Sequence, residues 1–316
     1  MFGERPQKFG HIVLPGFALM SYASVVEPLR AANLLAGTEL YRWTSFADGG
    51  GRIASSSGAL METVDLPDGR DGLQTVFVIA GGGPSQWRSP RIDGCLRRLA
   101  RLGVRIGGVS GGSYVLARAG LLDGYRFTVH WEHAAALREA FPALRPEAAR
   151  FIADRDRLTC GGGIAPLDMM HALIGERFGE AFARQVSDWF LHTHVDRPTD
   201  PQRGSVVERY GVHHAGLAAA LAVMEANISA PLPRPAVAAY AGMSARHLER
   251  LFVRHLSTGF AAQYRRIRLD QARRLLRQSP LSITEVAMAT GFSSAAHFSR
   301  SYREVIGRSP GAERSA

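Results

Sequence analysis

The stretch IGGVSGGSYVLA, residues 106–117, contains Gly108-Val109-Ser110-Gly111-Gly112, a G-x-S-x-G pattern. Such a pattern builds the tight strand-to-helix turn that lifts a serine hydroxyl out of a sheet. Acyl transfer from Ser110 would need a base within hydrogen-bond reach and backbone donors for an oxyanion. The N–H groups of Gly82, Gly83 and Gly111 are candidate donors. The same turn serves a second chemistry. A hydroxyl and neighbouring N–H groups can hold the carboxylate of a small ligand without breaking any bond.

The binding reading draws in aromatic side chains near strand ends: Trp87, Trp131, Tyr22 and Tyr114. Aromatic faces suit the cationic end of a ligand through cation–π attraction. Glu27 or Asp168 would assist with charge. Each has an ordinary structural reading as well: the aromatics as core, Asp168 capping or pairing within its helix, Glu27 solvated or paired with Arg30.

Elements that would position these residues alternate through residue 195. HIVLP (11–15), YRWTSFA (41–47), TVFVIAGGG (75–83), VRIGGVS (104–110), a short strand at 126–130 and RLTCGGG (157–163) read as strands. Helical periods lie between them. Buried β-rich runs alternating with helices predict an α/β fold, a doubly wound and mostly parallel sheet covered on both faces. Ligands of such sheets sit beyond the carboxyl ends of the strands. The glycine-rich turns at 81–83, 107–112 and 161–163 each follow a strand, so the site belongs there.

Residues 196–212, DRPTDPQRGSVVERYGV, are polar with prolines at 198 and 201, and read as a linker. Beyond them the pattern is helical and contains a repeat. His247-Leu248-x-Arg250-x-Phe252 recurs as His297-Phe298-x-Arg300-x-Tyr302, each copy preceded by a short Ala-rich helix, a glycine turn and a serine, Ser244 or Ser294. This is helix-turn-helix twice, with both serines placed as helix N-caps. Between the copies, residues 260–279 form one amphipathic helix. About 19 residues make a rod of roughly 28 Å, near the roughly 34 Å of one DNA turn.

Charge divides along the same boundary. Residues 1–196 carry 21 Lys+Arg against 20 Asp+Glu, and residues 197–316 carry 17 against 8. A neutral body with a strongly basic second part points to double-stranded DNA as partner. No apolar run approaches the length of a membrane span, and the first residues lack a secretory h-region. Cys95 and Cys160 have neither metal-ligand nor disulfide-framework spacing. A cytoplasmic protein without metal or cofactor, and without a membrane partner, is expected.

Residues 213–312 closely resemble the AraC/XylS transcription regulators, through RIRLDQARRLLRQSPLSITEVAMATGFSSAAHFSRSYREVIGRSP above all. One departure follows the first recognition helix. Ser257-Thr258-Gly259-Phe260 stands where that family shows Gly-x-Ser/Thr-Pro, whereas the second copy, Gly307-Arg308-Ser309-Pro310, conforms. Residues 8–195 resemble the class I glutamine amidotransferase-like superfamily with its PfpI-type members. The matching pieces are AGGGP, IGGVSGGSYVLARAGLLDG, TVHW and RLTCGGGIAPLDMMHALI. The pairing resembles regulators of glycine betaine, carnitine and arginine catabolism, which SYASVVEPLRAANLLAGTELYRW also resembles.

The resemblance implies a sensing domain at 8–195 and a DNA-binding domain at 213–312. DNA contacts would come from Arg246, His247, Glu249 and Arg250, and from Ala295, Ala296, His297 and Arg300. Arginine reads guanine, alanine meets a thymine methyl, and Glu249 either accepts from cytosine or pairs with a nearby arginine. Ser244, Ser294 and Arg308 would hold phosphates. Both histidines also sit beside packing residues.

For the elbow, the resemblance makes His130 of TVHW the candidate base. It follows Ser110 by only 20 residues, whereas an α/β-hydrolase places its acid between serine and a distant histidine. The elbow therefore belongs to the amidotransferase-like type, whose nucleophile is cysteine. A hydroxyl lacks the partial ionisation of a thiol at neutral pH, and GFALMS offers no carboxylate at the start of the first helix. The expectation is a sensor rather than an enzyme, with Ser110, His130, Trp131, Trp87, Glu27, Gly82, Gly83 and Gly111 around a small-molecule effector. An activator, acting as a homodimer with RNA polymerase as a further partner, is expected. The rivals are a Ser110/His130 amidase or hydrolase tethered to DNA, and a ligand-independent architectural binder.

Overall fold

The computed structural model describes residues 5–314 and divides the chain into two compact units, one up to Gln202 and one from Arg203. The first unit contains strands β1 (Gln7–Val13), β2 (Tyr41–Ala47), β3 (Gly51–Ala54), β4 (Leu60–Asp65), β5 (Thr75–Ala80), β6 (Arg105–Ser110), β7 (Phe151–Asp154) and β8 (Arg157–Cys160). They form one sheet in the order β3-β4-β2-β1-β5-β6-β8-β7. Only the outer pairs, β3 with β4 and β7 with β8, run antiparallel. The predicted α/β class is what the chain adopts.

Helices α1 (Leu19–Ala36), α2 (Pro90–Arg101), α3 (Gly112–Arg118), α4 (Ala134–Ala140), α5 (Ala165–Phe178) and α6 (Glu180–Trp189) cover the two faces. Strand side chains alternate between them. Val76 and Val78 of β5 join Leu96, Leu99 and Leu116 on one face. Phe77 and Ile79 join Leu29, Met170 and Phe182 on the other. Continuous apolar runs are what a parallel strand buried on both sides requires. The expected strand at 126–130 is absent: Thr128 makes one isolated bridge to Glu147, and its hydroxyl bonds the carbonyls of Glu147 and Ala149.

Chain order reverses between β1, which pairs with β2, and β5, which leads to β6. That is the topological switch point, where connections leave in opposite directions and open a crevice at the carboxyl ends.

The second unit is helical: α7 (Val206–Tyr210), α8 (Ala215–Ala226), α9 (Arg234–Tyr240), α10 (Ala245–Leu256), α11 (Phe260–Gln278), α12 (Ile283–Ala289), α13 (Ala295–Ile306) and α14 (Pro310–Arg314). Leu248, Phe252, Phe298 and Tyr302, the paired apolar positions of the repeat, are fully buried. The stretch read as a linker is built into both units. Asp196 pairs with Arg150 in the first, while Val212 lies in the core of the second behind a capping box at Ser205 and Glu208.

Candidate functional site

Ser110 ends β6 with φ +57°, a left-handed conformation that costs a non-glycine residue roughly 1–3 kcal/mol. The strain comes from close packing just beyond the turn. A Cβ on Gly112 would run into the Val78 carbonyl, and one on Gly111 into the Trp87 ring. The turn thus survives as a rigid elbow, with Ser110 nearly buried at 6% exposure.

Around it the carboxyl ends of β5, β6 and β8 converge. The N–H groups of Gly82 and Gly83 find no acceptor among the described residues, whereas Gly111 N–H donates to the Ala80 carbonyl at 3.1 Å. Gly111 therefore does not join the predicted set of donors. Gly162 rests on the elbow so closely that an added Cβ would lie 2.5 Å from Ser110 Cβ and 3.0 Å from both Ser110 Oγ and Ser21 Oγ. Ser21 Oγ accepts from Gly163 N–H at 2.8 Å, which brings α1 into the site through a residue that sequence reading passed over.

His130 reaches the elbow through its backbone, N–H to Ser110 carbonyl at 3.5 Å. Its Nδ1 accepts from Glu132 N–H at 3.3 Å, and no hydrogen bond joins its ring to Ser110 Oγ among the described residues. Burial pushes the imidazole below its ordinary value, against a smaller upward pull from Glu132. Cys160, whose sulfur faces the Ser110 and Gly162 N–H groups, is no substitute nucleophile: burial pushes its thiol up to about 12.

Four predicted pocket residues, Trp87, Tyr114, Glu27 and Asp168, are engaged elsewhere. Trp87 is fully buried, bonds the Gly81 carbonyl at 2.8 Å and packs edge-on against Tyr114 and His133. It is core, held there because Gly111 has no side chain. Tyr114 packs on Phe141 in the same cluster. Glu27 pairs with Arg30 at 2.7 Å on an exposed face of α1. Asp168 is buried, ion-paired to Arg150 and hydrogen-bonded to His192, so its charge is used inside the fold. The Tyr22 and Ser45 hydroxyls share a hydrogen bond at 2.8 Å, and the Tyr22 ring sits edge-on to His11. Trp131, half-buried beside His130 with ring centroids 5.5 Å apart, stays at the site. A cleft of about 460 Å³ opens at the opposite, amino ends of the strands, lined by Gln7, Tyr41, Thr75, Arg105 and Arg177 among others. It lacks the elbow and the unspent glycine amides.

In the second unit, Ser244 and Ser294 cap α10 and α13 by accepting from His247 and His297 N–H, both at 3.2 Å. Arg246, Arg250, Ala296, His297 and Arg300 are exposed, and Ala295 is half-buried. Arg250 touches His247 Nδ1 at 3.1 Å. Two predicted contacts are already engaged. Glu249 accepts from Arg234 at 2.7 Å and from Phe260 N–H at 3.3 Å, and Arg308 pairs with the buried carboxylate of Glu313 at 2.6 Å. Arg254 and Arg303, in the last turns of α10 and α13, are exposed on the same two helices; a repeat search starting from the N-caps does not reach them.

The departure at 257–260 has a local explanation. Ser257 adopts φ +54° as the C-cap of α10, its N–H bonded to the Val253 carbonyl, and Gly307 does the same for α13 at φ +86°. Serine there carries the Cβ strain that glycine avoids. Ser257→Gly is expected to stabilise the second unit by about 1 kcal/mol, read as a raised midpoint in helical circular dichroism. An unchanged or lowered midpoint would show that the serine is not strained.

Residues 6–176 match the DJ-1/PfpI family, and residues 237–316 match a helix-turn-helix domain. The HTH-type transcriptional regulator GlxA of Rhizobium meliloti is 57% identical over 309 residues, covering 98% of this chain and 95% of that protein. The HTH-type transcriptional regulator GbdR of Pseudomonas aeruginosa is 40% identical over 311 residues, covering 98% and 85%. Among solved structures, an AraC family transcriptional regulator from Pseudomonas putida superposes with TM-score 0.55 at 28% identity, over 58% of this chain and 100% of that one.

Proposed function

Because the chain belongs to the HTH-type transcriptional regulators that carry a DJ-1/PfpI domain ahead of an AraC-type helix-turn-helix unit, we propose that it is a ligand-responsive activator of a catabolic operon. The first unit senses a small amino-acid-like or quaternary-amine metabolite and does not turn it over. The observation that carries this reading is the combination at the elbow. Among the described residues, no base is bonded to the Ser110 hydroxyl, and the Gly82 and Gly83 amides beside it find no acceptor. Donors without a base can hold a carboxylate but cannot activate an alcohol. Trp131 and Tyr22, both half-buried, would face a cationic end.

The second unit reads DNA with Arg246, Arg250, Ala296, His297 and Arg300, and a homodimer sets two such readers on two half-sites. RNA polymerase is the protein partner of an activator. Ligand binding biases the chain between arrangements that differ in affinity for the operator.

Isothermal titration with glycine betaine, carnitine, dimethylglycine and arginine is expected to give saturable heat with one of them. Absent heat with all four would count against the sensor. Amide or ester hydrolysis lost in Ser110→Ala would overturn the non-enzymatic reading. In the second unit, Arg250→Ala is expected to cost about 1–3 kcal/mol of operator binding and to relax specificity at one base pair. Equal weakening on every sequence, measured by competition against mutated operators, would make Arg250 a phosphate contact.

A further inference from the structure

The last residue of the first unit, Gln202, inserts its side chain between two loops of the candidate ligand site. Its Oε1 accepts from Trp131 N–H at 2.9 Å. Its Nε2 reaches Thr128 Oγ1 at 2.9 Å, the Val129 carbonyl at 3.0 Å and the Ala149 carbonyl at 2.6 Å. The amide can sit only one way round, since its oxygen would otherwise face two carbonyls. Val129 and Trp131 are the chain neighbours of His130, so Gln202 grips that histidine's backbone from both sides.

The same side chain is seated on the second loop. A Cβ on Gly161 would lie 2.6 Å from Gln202 Cδ, and Gly161 precedes Gly162, the residue resting on Ser110. Upstream, the Pro198 carbonyl accepts from Arg150 N–H at 2.9 Å, and the Arg150 carbonyl accepts from Gly161 N–H at 2.8 Å. Asp196 N–H bonds the Asp168 carboxylate at 3.1 Å. Residues 196–202 are thereby fastened to the loops that border the elbow. Arg203, the next residue, opens the second unit.

We propose that Gln202 is a positioning residue for the effector site, and that its amide couples the His130–Trp131 and Gly161–Gly163 loops to the segment from which the DNA-binding unit departs. This rests on the reading of the elbow as a ligand site. A ligand that shifts the 128–131 loop must strain or release the contacts Gln202 makes with Thr128, Val129 and Trp131, and one that moves Gly161 must move it against the Gln202 amide. By reciprocity, release of that side chain must alter the loops.

Hydrogen exchange on the full-length chain, read by mass spectrometry, tests the two halves separately. Without ligand, Gln202→Ala and Gly161→Ala are each expected to speed exchange about tenfold in both 128–133 and 203–212, the equivalent of losing about one hydrogen bond. Unchanged protection in 128–133 in both variants would overturn the positioning role. With saturating glycine betaine, or whichever of the four titrated compounds gives heat, the wild type is expected to change exchange in 196–212. Both variants are expected to bind that ligand several-fold more weakly and, at saturation, to lose that change. A ligand response at 196–212 that persists in both variants, or one absent from a wild type that binds, would overturn the coupling. If none of the four gives heat, the sensor reading fails, and Gln202 is judged by the ligand-free arm alone.

Discussion

Replacing Asp168 with alanine is expected to destabilise the first unit by about 3 kcal/mol, the low end of what removing one partner of a buried ion pair costs. The carboxylate is fully buried and accepts two bonds from Arg150, at 2.9 and 2.7 Å, and one from His192 at 2.8 Å. Alanine leaves the Arg150 guanidinium, itself only 13% exposed, with Asp196 as remaining anion at 3.0 Å. That remaining pair is the reason for the low end. All four tryptophans, at 43, 87, 131 and 189, lie in the first unit, so their fluorescence reports its unfolding alone. A loss of this size is a fall of roughly 10 °C in midpoint for a unit of this length. A shift within error would mean that Asp168 is not a structural hub, and would return its charge to the candidate site.

His11 is expected to set the acid limb of stability. The ring is wholly buried in β1, lies 6.3 Å from the Phe77 ring in stacked geometry, and neither nitrogen has a hydrogen-bond partner among the described residues. Burial alone lowers its pKa to about 3. The unfolded chain therefore takes up a proton near pH 6.5 that the folded chain refuses until about pH 3. Stability is full above 6.5 and is lost as pH falls through this window, by about 1.4 kcal/mol per unit. At pH 4.5 the deficit from His11 is about 3 kcal/mol. His11→Leu, of similar volume and without polar atoms, is expected to flatten this limb. Urea midpoints at pH 7.5 and 4.5, followed by tryptophan fluorescence, measure it. An equally steep decline in the variant would place the acid sensitivity elsewhere.

The two experiments bear on function because both residues support the sheet end where the elbow sits. Asp168 anchors the segment that ends at Gln202, and His11 packs against Tyr22. Neither contributes a donor to the ligand, so each variant should weaken the scaffold before it changes which ligand binds.

Features made by neighbours in the chain were legible from residue order. The elbow follows from glycine spacing. The doubled helix-turn-helix follows from a repeat whose Ser244 and Ser294 caps need only the residues three places on. Alternating buried runs predicted the parallel sheet because apolar patterning and hydrogen-bonding period act within a few residues.

Partnerships across the fold were not legible. Trp87 was read as a ligand aromatic because nothing local reveals that Gly111, 24 positions away, leaves space for its ring. Glu249 is held by Arg234 from another helix, and Arg308 by a buried carboxylate shared with Arg273 and Arg277. Gln202 stood in a polar, proline-marked stretch with no signal of burial, and only folding brings Thr128, Trp131, Ala149 and Gly161 to it. Residue order carries the periodic, short-range physics of strands, caps and turns. Which charges are spent, which aromatics are core and which amides stay open depends on contacts across tens of residues, where packing and desolvation choose among partners the sequence leaves equivalent.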